Sequence, residues 1–193
     1  MRKLTLGTDE QLIERCSAGD QAAFDLLFKK YARPLTYFIE QIIHDHDRAE
    51  DIFQDTFLRM LKNKEKYDTK YRFSTWIYRI ALNLSINELR KRQRENGRIV
   101  HKPESDEPDR YLDILDTLSS GDDPYRNIER KDLAEKVGTA LGRLPAPKRI
   151  AFILKFYHHL SYDEIAGVMG CTRGTIKSRI HYAVEELQIL VGE

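Results

Sequence analysis

Residues 161–187 read SYDEIAGVMGCTRGTIKSRIHYAVEEL, and no other stretch limits so tightly what this chain can fold into. Ser161 and Glu164 have the spacing of a capping box. In that motif the hydroxyl accepts from the amide three residues on, and the carboxylate accepts from the amide of the capping residue. The box opens a short helix whose inner side is Ile165, Ala166 and Met169. Gly170 follows where the helix must end in a sharp turn, a conformation that glycine adopts without steric cost. Thr172 can then cap a second helix through its hydroxyl. Counting about 100° per residue, Ile176, Ile180, Ala183 and Leu187 share one stripe of that helix, the buried side. Gly174, Lys177, Ser178, His181 and Tyr182 lie opposite. Helix, glycine turn, and a helix with an apolar back and a hydrogen-bonding front form a helix-turn-helix.

Charge supports a nucleic-acid role once it is divided along the chain. The formal net charge is only +1, but residues Glu104 to Asp123 hold eight acids against one base, Arg110. The rest of the chain therefore carries +8. Between Arg143 and Tyr182 seven Lys and Arg face two acids, a local +5. A helix of this kind suits the major groove, where side chains near its start can reach base edges. Arg149, Lys155, Arg173 and Arg179 are expected to meet phosphates, which fix register without reading sequence.

The 193 residues divide into three parts. Residues 9–96 and 128–191 have apolar residues at helical spacing, with Pro34 inside the first part. Residues 97–127 are acidic and contain Gly97, Pro103, Pro108, Gly121 and Pro124, the composition of a flexible linker. No strand-like alternation persists, so the expected class is all-α, with two small helical domains. No segment approaches the roughly 20 uncharged apolar residues of a membrane span, and the N-terminus lacks a signal-peptide core. Cys16 and Cys171 are far apart and are read as reduced cytoplasmic thiols. His158 and His159 are adjacent and so leave different faces of a helix, a poor metal pair. No metal, cofactor or catalytic residue is expected.

Two helices of the first part carry distinct surfaces. In DRAEDIFQDTFLRM, Ala49, Ile52, Phe53, Phe57 and Met60 form an apolar arc; Asp47, Glu50, Asp51, Gln54 and Leu58 form another. A carboxylate-rich face repels phosphate. It fits either a basic protein surface, with Leu58 as an apolar contact, or simple solvation. In FSTWIYRIALNLSINELRKRQR, Ile77, Ile80, Ala81 and Leu84 form the core stripe. Trp76, Arg79, Asn83, Asn87, Arg90 and Arg94 occupy a neighbouring arc. The preceding KEKYDTKYR adds Tyr67, Tyr71 and further cations. Rings that stack on unpaired bases, amides that read base edges and cations that follow the backbone suit single-stranded nucleic acid. Phe73 and Tyr78 can equally be core aromatics.

AEDIFQDTFLRM, FSTWIYRIALNLSINELRKR and LPAPKRIAFILKFYHHLSYDEIAGVMGCTRGTIKSRI occur in that order, with a weaker echo in GDQAAFDLLFKKYARPL. Together they resemble the sigma factors of bacterial RNA polymerase, in particular the extracytoplasmic function (ECF) group, which keeps only regions two and four. The resemblance implies that Asp51, Gln54, Asp55 and Leu58 dock on the clamp helices of core polymerase. It implies that the minus-ten element is captured as a melted single strand by Tyr71, Trp76, Tyr78, Arg79, Asn83, Asn87 and Arg90, with Asn83 as the base-contacting amide. It further implies that duplex minus-thirty-five DNA is read by Lys177, Ser178, His181 and Tyr182. Gly174 and Thr175 stand at the helix start, and Arg149, Arg173 and Arg179 flank it. Many relatives have Pro after the turn and a basic residue where this chain has Thr172 and Tyr182, which implies a different element preference. An anti-sigma partner that covers both binding surfaces is a further expectation of the family. The acidic linker fits either a nucleic-acid mimic inside polymerase or a solvated tether.

Two other classes compete. A stand-alone helix-turn-helix regulator would bind duplex tightly by itself, usually as a symmetric dimer. A metal hydrolase would purify with metal bound to scattered His and carboxylates.

Overall fold

The computed structural model describes residues 7–95 and 131–192. Among these are eight α-helices and no strand: α1 (Asp9–Ser17), α2 (Gln21–Ile43), α3 (His46–Lys62), α4 (Phe73–Glu95), α5 (Lys131–Arg143), α6 (Ala146–Phe156), α7 (Tyr162–Met169) and α8 (Arg173–Gly192). A single 3-10 turn, Lys64–Lys66, follows α3. The stretch expected as an acidic linker, 97–127, lies outside the described residues.

Local chemistry sets most helix boundaries. Thr8 and Gln11 form a reciprocal capping box on α1, and the Asp20 carboxylate accepts from the Ala22 and Ala23 amides to start α2. Asp45 caps α3 through the Arg48 amide. The box predicted at Ser161 and Glu164 is present on α7. Thr172 Oγ1 accepts from the Thr175 amide at 3.2 Å, as expected for the cap of α8. Gly170 ends α7 in the left-handed region at φ 66°. A Cβ there would crowd the following carbonyl, so Gly170→Ala is expected to lower stability by about 1–2 kcal/mol, measured as a reduced urea midpoint.

The apolar stripes read from the sequence are the buried ones. Ala49, Ile52, Phe53, Phe57 and Met60 of α3 are buried, as are Ile176, Ile180, Ala183 and Leu187 of α8. In α4, Ile77, Ala81 and Leu84 are buried while Ile80 is only half so. The first four helices pack around Leu27, Leu35, Phe38, Ile39, Met60 and Phe73. Each large side chain fully removed from water contributes about 1.5–3 kcal/mol.

Periodicity along single helices did not reveal how the two groups of helices meet. α7 lies along α4, and the end of α6 packs on α2. One continuous buried cluster therefore runs from the first group into α6, α7 and the start of α8. A smaller cluster, Ala140, Leu141, Leu144, Ala183 and Leu187, joins α5 to the distal part of α8. Among the described residues no helix is long and apolar enough to cross a membrane.

Candidate nucleic-acid interface

The start of α4 is held by a residue distant in sequence. The Phe73 amide, at its first residue, donates to Glu10 Oε1 of α1 at 3.1 Å. Burial pushes the Glu10 carboxyl up, but hydrogen bonds from the Glu10 and Phe73 amides and from Thr8 outweigh it and hold the group below its ordinary value. A charged cap at a helix N-terminus also meets the positive end of the peptide dipoles. Nothing in the spacing of Glu10 signals this role, because the pairing exists only after α1 docks.

On this anchored helix, Arg79, Asn83 and Asn87 are exposed. Trp76 is half-buried against Tyr67, with ring centroids 5.1 Å apart. Tyr67 in turn donates its hydroxyl to the Tyr71 carbonyl at 2.6 Å, which fixes the loop that presents Tyr71, 64% exposed. Rings, amides and a guanidinium thus share one accessible side. Arg90 is half-buried, and Arg92 of the basic run is tied to Asp45 at 2.8 Å. The run is therefore less free to follow a nucleic-acid backbone than its composition implies.

Two residues stand elsewhere than the sequence reading placed them. Tyr78 is 3% exposed, packed edge-on against Phe38 with its hydroxyl 2.8 Å from His158 Nδ1. It faces the second group of helices and cannot stack on a base in this arrangement. Arg149 is 2% exposed and donates to the Gly142 carbonyl at 3.3 Å. Its guanidinium closes the junction between α5 and α6, where a phosphate has no access. A basic residue near a helix start gives no sequence signal of which way it turns.

The outward face of α8 agrees with the pattern. Arg173, Gly174, Lys177, Ser178, His181 and Tyr182 are exposed. Thr175 and Arg179 are half-buried: the Thr175 hydroxyl lies 2.9 Å from that of Thr172, and Arg179 Nη1 lies 3.4 Å from Cys171 Sγ. Arg173 pairs with Asp163 at 3.4 Å, but both are exposed, so the pair is worth about 0–1 kcal/mol and yields readily to a phosphate. A Cβ on Gly174 would meet only Thr172 Oγ1, at 3.7 Å. Packing within the described residues therefore does not demand a glycine there.

The third surface is α3. Asp51, Gln54, Asp55 and Leu58 are all exposed, and Leu58 is 53% open among carboxylates and an amide. An apolar side chain that is left in water within a charged frame is suited to a protein contact.

His158 lies where the two groups of helices join. Burial, with His159 as a smaller cause, pushes its imidazole down to about 4 from the ordinary 6.5. Phe38, Tyr37 and Tyr78 face it, and the Tyr78 hydroxyl stands at its Nδ1. Between pH 6.5 and 4 the unfolded chain binds a proton that the folded chain does not. The His158 contribution should be level above pH 6.5 and cost up to about 3 kcal/mol as pH drops to 4. Urea unfolding across this range checks it, and His158→Gln should make the fall shallower.

Among the described residues these features define an all-helical protein with a helix-turn-helix, a helix of exposed amides and rings, and a separate patch of exposed carboxylates around Leu58. A family model described as Sigma-70 region 2 matches residues 27–95, and one described as Sigma-70, region 4 matches residues 134–187. The chain is 34% identical over 187 residues to the RNA polymerase sigma-H factor of Pseudomonas aeruginosa, covering 95% of this chain and 94% of that one. It is 30% identical over 183 residues to the ECF RNA polymerase sigma-E factor of Haemophilus influenzae, with 94% of each chain covered. The sigma factor RpoE of Bartonella quintana, solved with the anti-sigma factor NepR, superposes with a TM-score of 0.64 at 26% identity, covering 88% of this chain and 96% of that one. CnrH, solved with the cytosolic domain of CnrY, shares the fold with a TM-score of 0.66 at 22% identity over 95% and 97% of the two chains. The chain belongs to the sigma-70 family of RNA polymerase sigma factors, in the ECF group. It directs transcription initiation by RNA polymerase at promoter DNA.

Proposed function

We propose that three surfaces divide the work of initiation, with domains at 9–96 and 128–191. Asp51, Gln54, Asp55 and Leu58 of α3 dock on core polymerase. Asn83 reads an unstacked base of the minus-ten strand, with Tyr71, Trp76, Arg79, Asn87 and Arg90 around it. The front of α8 reads the minus-thirty-five duplex through Lys177, Ser178, His181 and Tyr182. Arg173 and Arg179 lie on the flanks, and Gly174 and Thr175 at the entry. The observation that carries this division is the sorting of charge into patches: Asp47, Glu50, Asp51 and Asp55 stand exposed on α3, whereas the first turns of α8 expose Arg173 and Lys177 and no acid. A phosphate backbone is drawn to one and excluded from the other.

The protein acts by binding alone, without a catalytic group or a cofactor, and works in the cytoplasm where polymerase is. RpoE of Bartonella quintana and CnrH were each solved with a protein partner. A comparable anti-sigma protein is proposed to cover the α3 and α8 surfaces here. A stand-alone regulator would instead bind duplex tightly without polymerase.

Transcription with sigma-free core enzyme on a library of promoter sequences tests the reading. Defined start sites that share two spaced elements are expected. Tight duplex binding by the purified chain as a dimer, with no start site in the presence of core enzyme, would overturn it.

A further inference from the structure

One lysine ties the start of α6 to the front of α8. The two helices pack together, and Arg149 of α6 turns toward the Gly142 carbonyl of α5. Adjacent residues leave a helix about 100° apart, and the neighbouring Lys148 is aimed at α8. Its ammonium donates to Glu186 Oε1 at 2.7 Å and stands over the Tyr182 ring, 5.7 Å from the centroid. Tyr182 and Glu186 are four residues apart and so lie on one side of α8, a turn from each other. A single cation from α6 therefore holds two successive turns of the helix that faces DNA.

Stability is a poor account of this arrangement. The Lys148 and Glu186 side chains are 26% and 41% exposed, and ion pairs that open to water contribute little to folding. Orientation is the better account. Tyr182 is 53% exposed, too open to be fixed by packing alone. Within a helix the χ1 of an aromatic residue has two accessible wells, and an unrestrained ring exchanges between them. An ammonium held over the ring face favours the position it occupies. The His181 ring, with its centroid 5.5 Å from that of Tyr182, crowds it further. The anchor is itself set against the protein, since Glu186 Oε2 is out of water. Ordering a mobile side chain at an interface weakens binding, and a ring that is already held avoids that loss.

Resting on the assignment of the α8 front to the minus-thirty-five duplex, we propose that Lys148 is a positioning residue for sequence discrimination: anchored by Glu186, it holds the Tyr182 ring in the pose that meets the base edges. Lys148 acts through Tyr182 and touches no base itself. The ring edge can meet a thymine methyl and the hydroxyl can meet a base acceptor, contacts that both depend on where the ring points. Any base preference owed to Tyr182 is therefore owed to Lys148 as well.

The test removes the pair without changing net charge, in the full-length variant Lys148→Met, Glu186→Gln. Transcription with core enzyme is measured on promoters randomised across the minus-thirty-five element. Tyr182→Ala first marks the base pair that Tyr182 reads. There the paired variant should weaken discrimination by about 2- to 10-fold, the range for ordering one side chain. It should leave the other positions unchanged and add nothing further in a chain that already carries Tyr182→Ala. Lys148→Arg keeps a cation that can pair with Glu186 and stack on the ring, so it should preserve the preference. Unchanged discrimination in the paired variant overturns the proposal, and so does a loss with Lys148→Arg as large as that of the paired variant. A loss that is equal for all sequences, with a salt slope shallower by about one, also overturns it, because Lys148 is then a phosphate contact. Should Tyr182→Ala alter no base preference, the assignment of the α8 front fails, and the free chain decides on the positioning itself. The fluorine NMR resonance of a fluorotyrosine placed at position 182 should move and sharpen in the paired variant and return with Lys148→Arg. An unmoved resonance overturns the proposal.

Discussion

Replacing Asp51 by Lys is expected to lower affinity for core polymerase by at least about tenfold, a loss of about 1.4 kcal/mol or more. The direction follows from the sign of the face. Asp51 is exposed beside Gln54 and Asp55, and a basic partner surface that attracts this face would meet a like charge after the change. The fold should not notice. Ile52, Phe53, Phe57 and Met60, which hold α3 in place, point the other way and are untouched. Lys also suits a helix interior, so stability should stay within about 0.5 kcal/mol. Fluorescence anisotropy of labelled protein titrated with core enzyme, at two salt concentrations, is the measurement. The defect should shrink as salt screens the repulsion. Unchanged affinity in a folded variant would sink the assignment of α3.

Asn83→Ala should separate the steps of initiation. Promoter opening is expected to fall by about 5- to 150-fold, the range for losing one bidentate amide–base contact of 1–3 kcal/mol. Core binding and overall stability should be unaltered, because Asn83 is exposed and its removal leaves no buried group unpaired. A fluorescent base analogue in the minus-ten strand reports opening, and anisotropy reports core binding. Equal loss of both would show that Asn83 supports the domain rather than reads a base. Asn83→Asp keeps the shape but loses the donor and adds a charge that phosphate repels, so it should do no better than Ala.

Much of the helical framework was legible because its causes are local. A capping box, a left-handed glycine and a threonine cap act within four residues of each other, so Ser161, Gly170 and Thr172 mark their helix ends in any context. The stripes on α3 and α8 were legible for the same reason: a regular helix turns a spacing into a face. The candidate surfaces were legible wherever they lie opposite such a stripe, as Asp51, Asn83 and Lys177 do.

Other features became visible only in three dimensions. Arg149 and Tyr78 sit at positions where a helix side has two neighbours to choose between. The choice was made by α5 in one case and by α2 and α6 in the other. Glu10 caps α4 across 63 residues, and Arg92 reaches back to Asp45 across 47, pairings that no spacing rule encodes. His158 reads as an ordinary helix-end residue until burial among Tyr37, Phe38 and Tyr78 removes its charge.

The amino-acid order by itself determined the helices, their inner faces, the position of the turn and the sorting of acidic from basic surfaces, since each follows from interactions between residues a few positions apart. Tertiary packing decided which of two half-apolar sides is covered, which cations are buried inside the protein and how the two groups of helices meet. Those outcomes depend on contacts between distant segments, and the free energy of such a contact is a property of both partners together. Gly167 is the clearest instance: alone it reads as a weak helix residue, and only the Thr75 methyl opposite gives its missing side chain a purpose.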